Sequence, residues 1–223
     1  MRSARITIAL FLFAIAVLGQ ERFVRPVDEA KLDASFYAFR TKLIEAVEMH
    51  DAKFILSILD PKIELSFGGD SGIQDFKKIW GIEKPGSKFW EEFLPVIKNG
   101  GSFFRNGQRR TNTFFAPYTF NSFPEDLDAF EHSVIFGSNV NLRERPDPTS
   151  KVLATLSYNI VQMENDEPGT NSDAAEADWY RVKTLGGLRG YVKADYVRSP
   201  IAYRAGFEKK RGVWKMIAFI SGD

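Results

Sequence analysis

The chain contains no cysteine and only two histidines among its 223 residues. Without thiols it can form no disulfide, ligate no metal through sulfur and use no cysteine nucleophile. Zinc hydrolases typically need two or three histidine ligands with a glutamate base, and His50 and His132 stand far apart in the sequence. We therefore predict neither a cofactor nor a metal site.

An excess of one charge is also missing, since 30 Lys and Arg residues face 29 Asp and Glu residues. Proteins dedicated to nucleic acids usually carry a basic patch or stripe, so we predict no nucleic-acid partner. Aromatic residues are abundant instead, with 20 Phe and 4 Trp. A chain that lacks disulfides must take its stability from such a core.

Residues 1–19 have the pattern of a secretory signal peptide. Arg2 and Arg5 give a basic start, and an apolar run over residues 6–18 leads to Gly19. This run is shorter than the ~20 residues that a membrane-spanning helix needs. We predict export to the periplasm or the extracellular space, with no integral membrane span once the signal is removed. An uncleaved anchor helix is the alternative. Without residues 1–19 the formal charge falls from +1 to −1.

Residues 28–125 predict an α+β domain. Apolar residues recur every three or four positions between 32 and 47, which is typical of an amphipathic helix. Further helices are expected up to residue 100, the second of them ending at Pro61. Apolar alternation over residues 63–67 predicts a strand. Two more strands are expected on either side of the Arg-Asn-Gly-Gln turn at residues 105–108.

Residues 134–198 predict a small antiparallel barrel, because short apolar alternations are separated there by turns. The stretch reads VNLRERPDPTSKVLATL, then a polar connection, then DWYRVKTLGGLRGYVKADYV. The order of an Asn-x-Arg strand, a Pro-rich turn, a Trp-Tyr strand and a Gly-turn hairpin resembles the bacterial SH3-like (SH3b) family. One departure is the long acidic connection 163–178, which either binds a divalent cation or forms a solvated loop. It lacks the glycine register of a calcium loop.

The resemblance implies a module that binds rather than catalyses. In such barrels an aromatic residue at the start of the Trp-Tyr strand borders the ligand groove, which points to Trp179. Tyr191 and Tyr196 would extend the apolar shelf, and Asp195 and Arg143 would supply charge. The implied partner is a cell-wall glycan or peptide, or another envelope protein.

Residues 200–223 predict one more β-hairpin after the barrel is complete. An isolated hairpin is only marginally stable, so it needs a partner. We expect it to pair with the 28–125 domain and to place Trp214 near Phe36 and Phe39. The barrel is then an insertion. The resulting order of helices and strands resembles the cone-shaped α+β fold of the nuclear-transport-factor-like superfamily.

One short motif suggests an enzyme, the sequence GGDSGI at residues 68–73. Gly-Asp-Ser-Gly surrounds the nucleophile of chymotrypsin-like proteases, but His50 is too close in the chain for their double barrel. We interpret Ser71 as a helix N-cap. An enzyme or small-ligand binder could still use a pocket in the 28–125 domain, with Asp70 and His50 as its candidate residues. A purely structural envelope protein would lack any groove. The sequence favours an exported, non-enzymatic binding protein.

Export gives a direct prediction. Protein recovered from the medium or the periplasm should begin near Gln20, because the signal peptide is removed after Gly19. Intact-mass analysis of the recovered material measures this. Material that retains Met1 would contradict it.

Overall fold

The computed structural model describes residues 20–164 and 178–222. The expected signal peptide at 1–19 and most of the acidic connection, 165–177, lie outside the described residues. The first part of the chain contains α1 (Ala34–Glu48), α2 (Ala52–Ile58), β1 (Leu59–Glu64), α3 (Gly72–Trp80), α4 (Phe89–Lys98), β2 (Ser102–Asn106), β3 (Arg109–Ala116) and α5 (Tyr118–Ser122). The second part contains β4 (His132–Ile135), β5 (Val140–Arg143), β6 (Val152–Leu156), β7 (Ile160–Met163), β8 (Trp179–Thr184), β9 (Arg189–Lys193), β10 (Val197–Arg198), β11 (Arg204–Lys210) and β12 (Val213–Ile220).

The first and last parts of the chain share one five-stranded sheet, in the order β1-β12-β11-β3-β2. Strand β12 is parallel to β1, and the other neighbours are antiparallel. The turn between β11 and β12 has positive φ at Arg211 (49°) and Gly212 (84°), the two-residue geometry that matches the twist of a hairpin. The C-terminal hairpin therefore occupies the middle of a mixed sheet that β1, β2 and β3 begin.

Strand β1 differs from the sequence prediction. It starts at Leu59 and runs through Pro61, where we expected a helix to end and the strand to begin at residue 63. Proline has no backbone N–H to donate. It is tolerated here because β1 lies at the edge of the sheet, where one side of the strand has no neighbouring strand to bond. Phe67 lies beyond the strand, in a turn, and 58% of it is exposed.

Aromatic rings fill the space between the helices and the sheet. The Phe36 ring of α1 lies 4.2 Å from the Phe114 ring of β3 and 4.7 Å from the Trp214 ring of β12, between centroids. The Phe39 ring also packs on Trp214, with 6.4 Å between centroids, and Trp214 Nε1 donates a hydrogen bond to Ser35 Oγ. Contacts of this kind add to the large apolar area that each ring buries. The core thus joins the first helix to the last strand.

The second sheet has seven strands in the order β10-β4-β7-β8-β9-β5-β6. Its core contains a separate apolar cluster, which includes Leu142, Val161, Val182 and Val192. Strand β9 approaches β5 so closely at Gly190 that an added Cβ would lie 2.6 Å from the Arg143 carbonyl oxygen. Only glycine lets these two strands meet there.

A strap of residues 20–29 bridges the two sheets. The Val24 N–H donates to the Tyr158 carbonyl and the Ile160 N–H donates to the Arg22 carbonyl. At its other end, the Gly101 N–H donates to the Val27 carbonyl. The strap thus continues the hydrogen bonding of both parts of the molecule.

An apolar cluster also lies between the two parts. Val24, Tyr118, Val134 and Ile160 are buried against one another, and burial raises the pKa of Tyr118 to about 12. The Tyr118 and Phe136 rings stack with their centroids 5.6 Å apart. None of the helices within residues 20–164 and 178–222 is long and apolar enough to cross a membrane.

Replacing Trp214 with alanine should lower the free energy of unfolding by about 3–5 kcal/mol, because it leaves a cavity between α1 and β12. Its neighbour Val213 is mostly exposed, so Val213→Ala is the matched control and should change stability by at most ~0.5 kcal/mol. Urea unfolding followed by circular dichroism measures both. Equal losses in the two variants would show that Trp214 does not join helix and sheet as described.

Candidate functional site

One wall of the site is strand β5 with the loop before it. Val140 and Leu142 point into the barrel, so Asn141 and Arg143 point outward. Asn139 adopts a positive φ of 57°, a conformation that asparagine tolerates better than most residues. Its N–H donates to Ser157 Oγ at 2.9 Å, which fixes the loop at the start of β5.

The turn between β5 and β6 folds back along this wall. Arg143 Nη1 donates to the Ser150 carbonyl at 2.7 Å. Asp147 Oδ1 accepts hydrogen bonds from the Thr149 N–H and Oγ1, and these bonds hold the pKa of Asp147 below its ordinary value. These hydrogen bonds restrain the conformation of the turn, which contains Pro148 between Asp147 and Thr149.

The opposite wall comes from β8, β9 and the short 3₁₀ turn Ala194–Tyr196. Trp179 begins β8, where it pairs with Lys193 of β9, and its ring is half-buried. Tyr196 ends the 3₁₀ turn and remains 46% exposed. Its carbonyl accepts a hydrogen bond from the Phe136 N–H at 2.8 Å, which anchors the turn to the end of β4.

Between these walls lies a groove of about 580 Å³, which we call the SH3 groove. Its lining residues are Ser138, Asn139, Val140, Asn141, Arg143, Pro148, Asp178, Trp179, Lys193 and Tyr196. Lys193 Nζ lies 3.0 Å from Asp195 Oδ2, and this hydrogen bond raises the pKa of Lys193. The groove offers two aromatic rings, amide and hydroxyl groups, and charges of both signs. Such a set suits a polar ligand with apolar faces.

The structure brings together three of the five residues that the sequence suggested. Arg143, Trp179 and Tyr196 line the groove, whereas Tyr191 and Asp195 do not. Tyr191 lies on the outward face of β9, where it pairs with Arg143 across to β5. Asp195 forms an ion pair with Lys193, which does line the groove.

Several lining residues were missed by the sequence reasoning. Asn141 and Lys193 follow from strict alternation along β5 and β9, which was a usable pattern. Pro148 belongs to the Pro-rich turn that was noticed only as a turn. Ser138 and Asp178 lie in loops, and they line the groove because of how those loops are placed, which local sequence does not determine.

The residues considered for catalysis lie in separate surroundings. His50 is exposed and stacks on Trp90 at 4.9 Å. Asp70 accepts a hydrogen bond from Ser66 Oγ at 2.8 Å. Ser71 occupies the N-cap of α3, but its side chain makes no capping bond, and the Ser71 N–H donates instead to Asp75. This corrects the expected capping role of the Ser71 hydroxyl. Within residues 20–164 and 178–222, no three His, Asp or Glu side chains are grouped to hold a metal ion.

Residues 138–198 match the protein-family model described as the bacterial SH3 domain. The match covers β5–β10 and every residue that lines the SH3 groove. This part of the chain is a bacterial SH3 domain, as the sequence resemblance indicated. No curated protein matches the chain.

The packing separates groove residues from core residues of this domain. Val192→Ala should destabilise the domain by at least ~1 kcal/mol, because Val192 is fully buried and its loss leaves a cavity. Tyr196→Ala should change stability by no more than ~0.5 kcal/mol. Thermal unfolding of both variants measures the difference. If Tyr196→Ala unfolds as easily as Val192→Ala, Tyr196 belongs to the core and not to the groove.

Proposed function

We propose that the chain is an exported, non-enzymatic binding protein whose SH3 groove contacts cell-wall peptidoglycan or an envelope protein. The observation that carries this proposal is the pair of half-exposed rings, Trp179 and Tyr196, in a groove of the domain that matches the bacterial SH3 family. Such domains are typically cell-wall-binding modules. Export rests on the sequence of residues 1–19.

The groove chemistry fits a glycan or a peptide. Aromatic faces pack on the C–H face of a sugar or on an aliphatic side chain, and Asn139 and Asn141 can donate to and accept from hydroxyl or peptide groups. Arg143 and Lys193 offer positive charge, and Asp178 offers negative charge. A ligand that carries both a carboxylate and an amine, as a short peptide does, meets complementary groups.

The packed interior of the α+β part supports a binding role over an enzymatic one. The space between its helices and sheet is filled by fully buried rings, among them Phe36, Phe76, Phe89 and Phe114. His50 and Asp70, the candidates for an active site, make separate surface contacts instead of facing one pocket. We include in the proposal that this part has the cone-like fold suggested by its sequence, with its interior packed.

Sedimentation with purified sacculi tests the proposed ligand. Protein comprising residues 20–223 should pellet with sacculi, and Trp179→Ala or Tyr196→Ala should weaken binding by about tenfold or more, since buried aromatic contacts dominate such interfaces. Tyr37→Ala is the matched control, because Tyr37 is a comparably exposed tyrosine on α1, outside the groove.

The envelope-protein branch has its own readout. If sacculi retain nothing, immobilised protein should capture a partner from an envelope extract, and Tyr196→Ala should release it. Retention of either ligand at wild-type strength by both groove variants would show that the SH3 groove is not the binding site.

A further inference from the structure

Among the residues that the structure describes, helices α1–α4 leave the second face of the five-stranded sheet partly open. Helices α1–α4 cover one side, and alternation along the strands turns Phe115, Glu208 and Ile217 to the other. A depression of about 580 Å³ lies on that side. Its apolar lining comprises Phe67, Phe115, Phe120, Ile217, Ala218 and Ile220.

This depression continues into a neighbouring one of about 520 Å³, because Phe120 and Arg204 line both. The second is lined by segment 123–130, together with Pro200 and Ile201. We call the continuous feature the outer sheet groove. A mostly exposed ring lines each depression, Phe67 (58% exposed) in the first and Phe130 (69% exposed) in the second. Exposed aromatic rings beside apolar depressions are typical of interaction sites.

The middle of the outer sheet groove is pre-formed. The Arg204 guanidinium, in a residue that is 5% exposed, lies 4.7 Å from the centroid of the Phe120 ring and 5.5 Å from that of Phe67. The Phe115 ring adds a contact with Phe120 at 5.4 Å. One buried cation therefore fixes rings from two distant segments, so little side-chain ordering is left to occur on binding.

The charges distinguish the two ends. At the sheet end, Lys210 Nζ lies 2.7 Å from Asp60 and 3.3 Å from Glu208, so both acids have an ion-pair partner within the protein. At the other end, Glu125 and Asp128 are exposed and make no ion pair with any residue in the described ranges. The second end is therefore acidic and complements a basic group.

We infer that the outer sheet groove is a second binding site, which takes an extended apolar polypeptide segment of a partner protein with a lysine or arginine over Glu125 and Asp128. Two joined, solvent-open depressions suit a chain better than a compact small molecule. Rings placed along the groove supply pockets for successive apolar side chains. The site goes beyond the proposed function, because it lies on another module and shares no residue with the SH3 groove.

A phage-displayed library of random dodecapeptides, panned on immobilised protein of residues 20–223, tests this inference. Enriched peptides should combine several apolar residues with a basic residue towards one end. Synthetic copies should bind about tenfold more weakly to Phe67→Ser and to Phe130→Ser. Both residues are mostly exposed, so thermal unfolding should confirm that the variants remain folded. Tyr196→Ala should bind these peptides at wild-type strength, which separates this site from the SH3 groove.

Charge reversal tests the orientation. Glu125→Lys should weaken the same peptides several-fold and reduce the salt dependence of binding. Glu45→Lys is the matched control, because Glu45 is an exposed glutamate of α1, on the opposite side of the sheet. The inference is overturned if no peptide is enriched, if the enriched peptides are acidic, or if Phe67→Ser and Phe130→Ser leave binding intact. Self-association that Phe130→Ser abolishes would assign the groove to a second copy of this chain and overturn the partner segment.

Discussion

The pairing of β11 and β12 inside the first sheet is the constraint on which the molecule depends. These strands come from the last residues of the chain, yet they separate β1 from β3. Without them, β1 would have no neighbour and Phe36 would lose its contact with Trp214. Everything between β3 and β11, including the whole SH3 domain, must therefore leave the sheet and return to it. Such non-local closure costs chain entropy that only the completed aromatic core offsets.

The SH3 domain satisfies this requirement because its two ends meet. Strands β4 and β10 pair at Ile135 with Val197 and at Val134 with Arg198, so the chain enters and leaves at neighbouring points. The strap 20–29 and the apolar contact of Tyr118 with Phe136 then hold the domain against the α+β part. An insertion on two open linkers would be free to rotate. This one is tied by the strap, by the interface cluster and by its own ends.

Local sequence was sufficient where the periodicity of apolar residues determines the secondary structure. Alternation in β5, β8 and β9 indicated the barrel strands, and the surplus hairpin pointed to a sheet elsewhere in the chain. Prediction from local sequence failed where a segment distant in the chain determines the local structure. Pro61 lies within a strand because β12 pairs with only one side of it. The strap makes its backbone hydrogen bonds to Tyr158, Ile160 and Gly101, which are over seventy residues away, so local sequence does not indicate its course. Tyr191 was predicted to extend the apolar shelf, but Arg143 and Lys193 line the groove and Tyr191, which pairs with Arg143, does not.

Phe114 and Phe115 show most clearly what a sequence leaves open. They are adjacent in β3 and of the same type, but Phe114 is fully buried against Phe36, and Phe115 points to the opposite side, towards Phe120. Alternation requires that they differ in environment, but it does not say which face the helices cover. With 20 phenylalanines in the chain, composition indicates a large core. It does not reveal that some rings remain outside that core. Only the placement of α1–α4 on one side turns Phe115 and its neighbours into a surface available to another molecule.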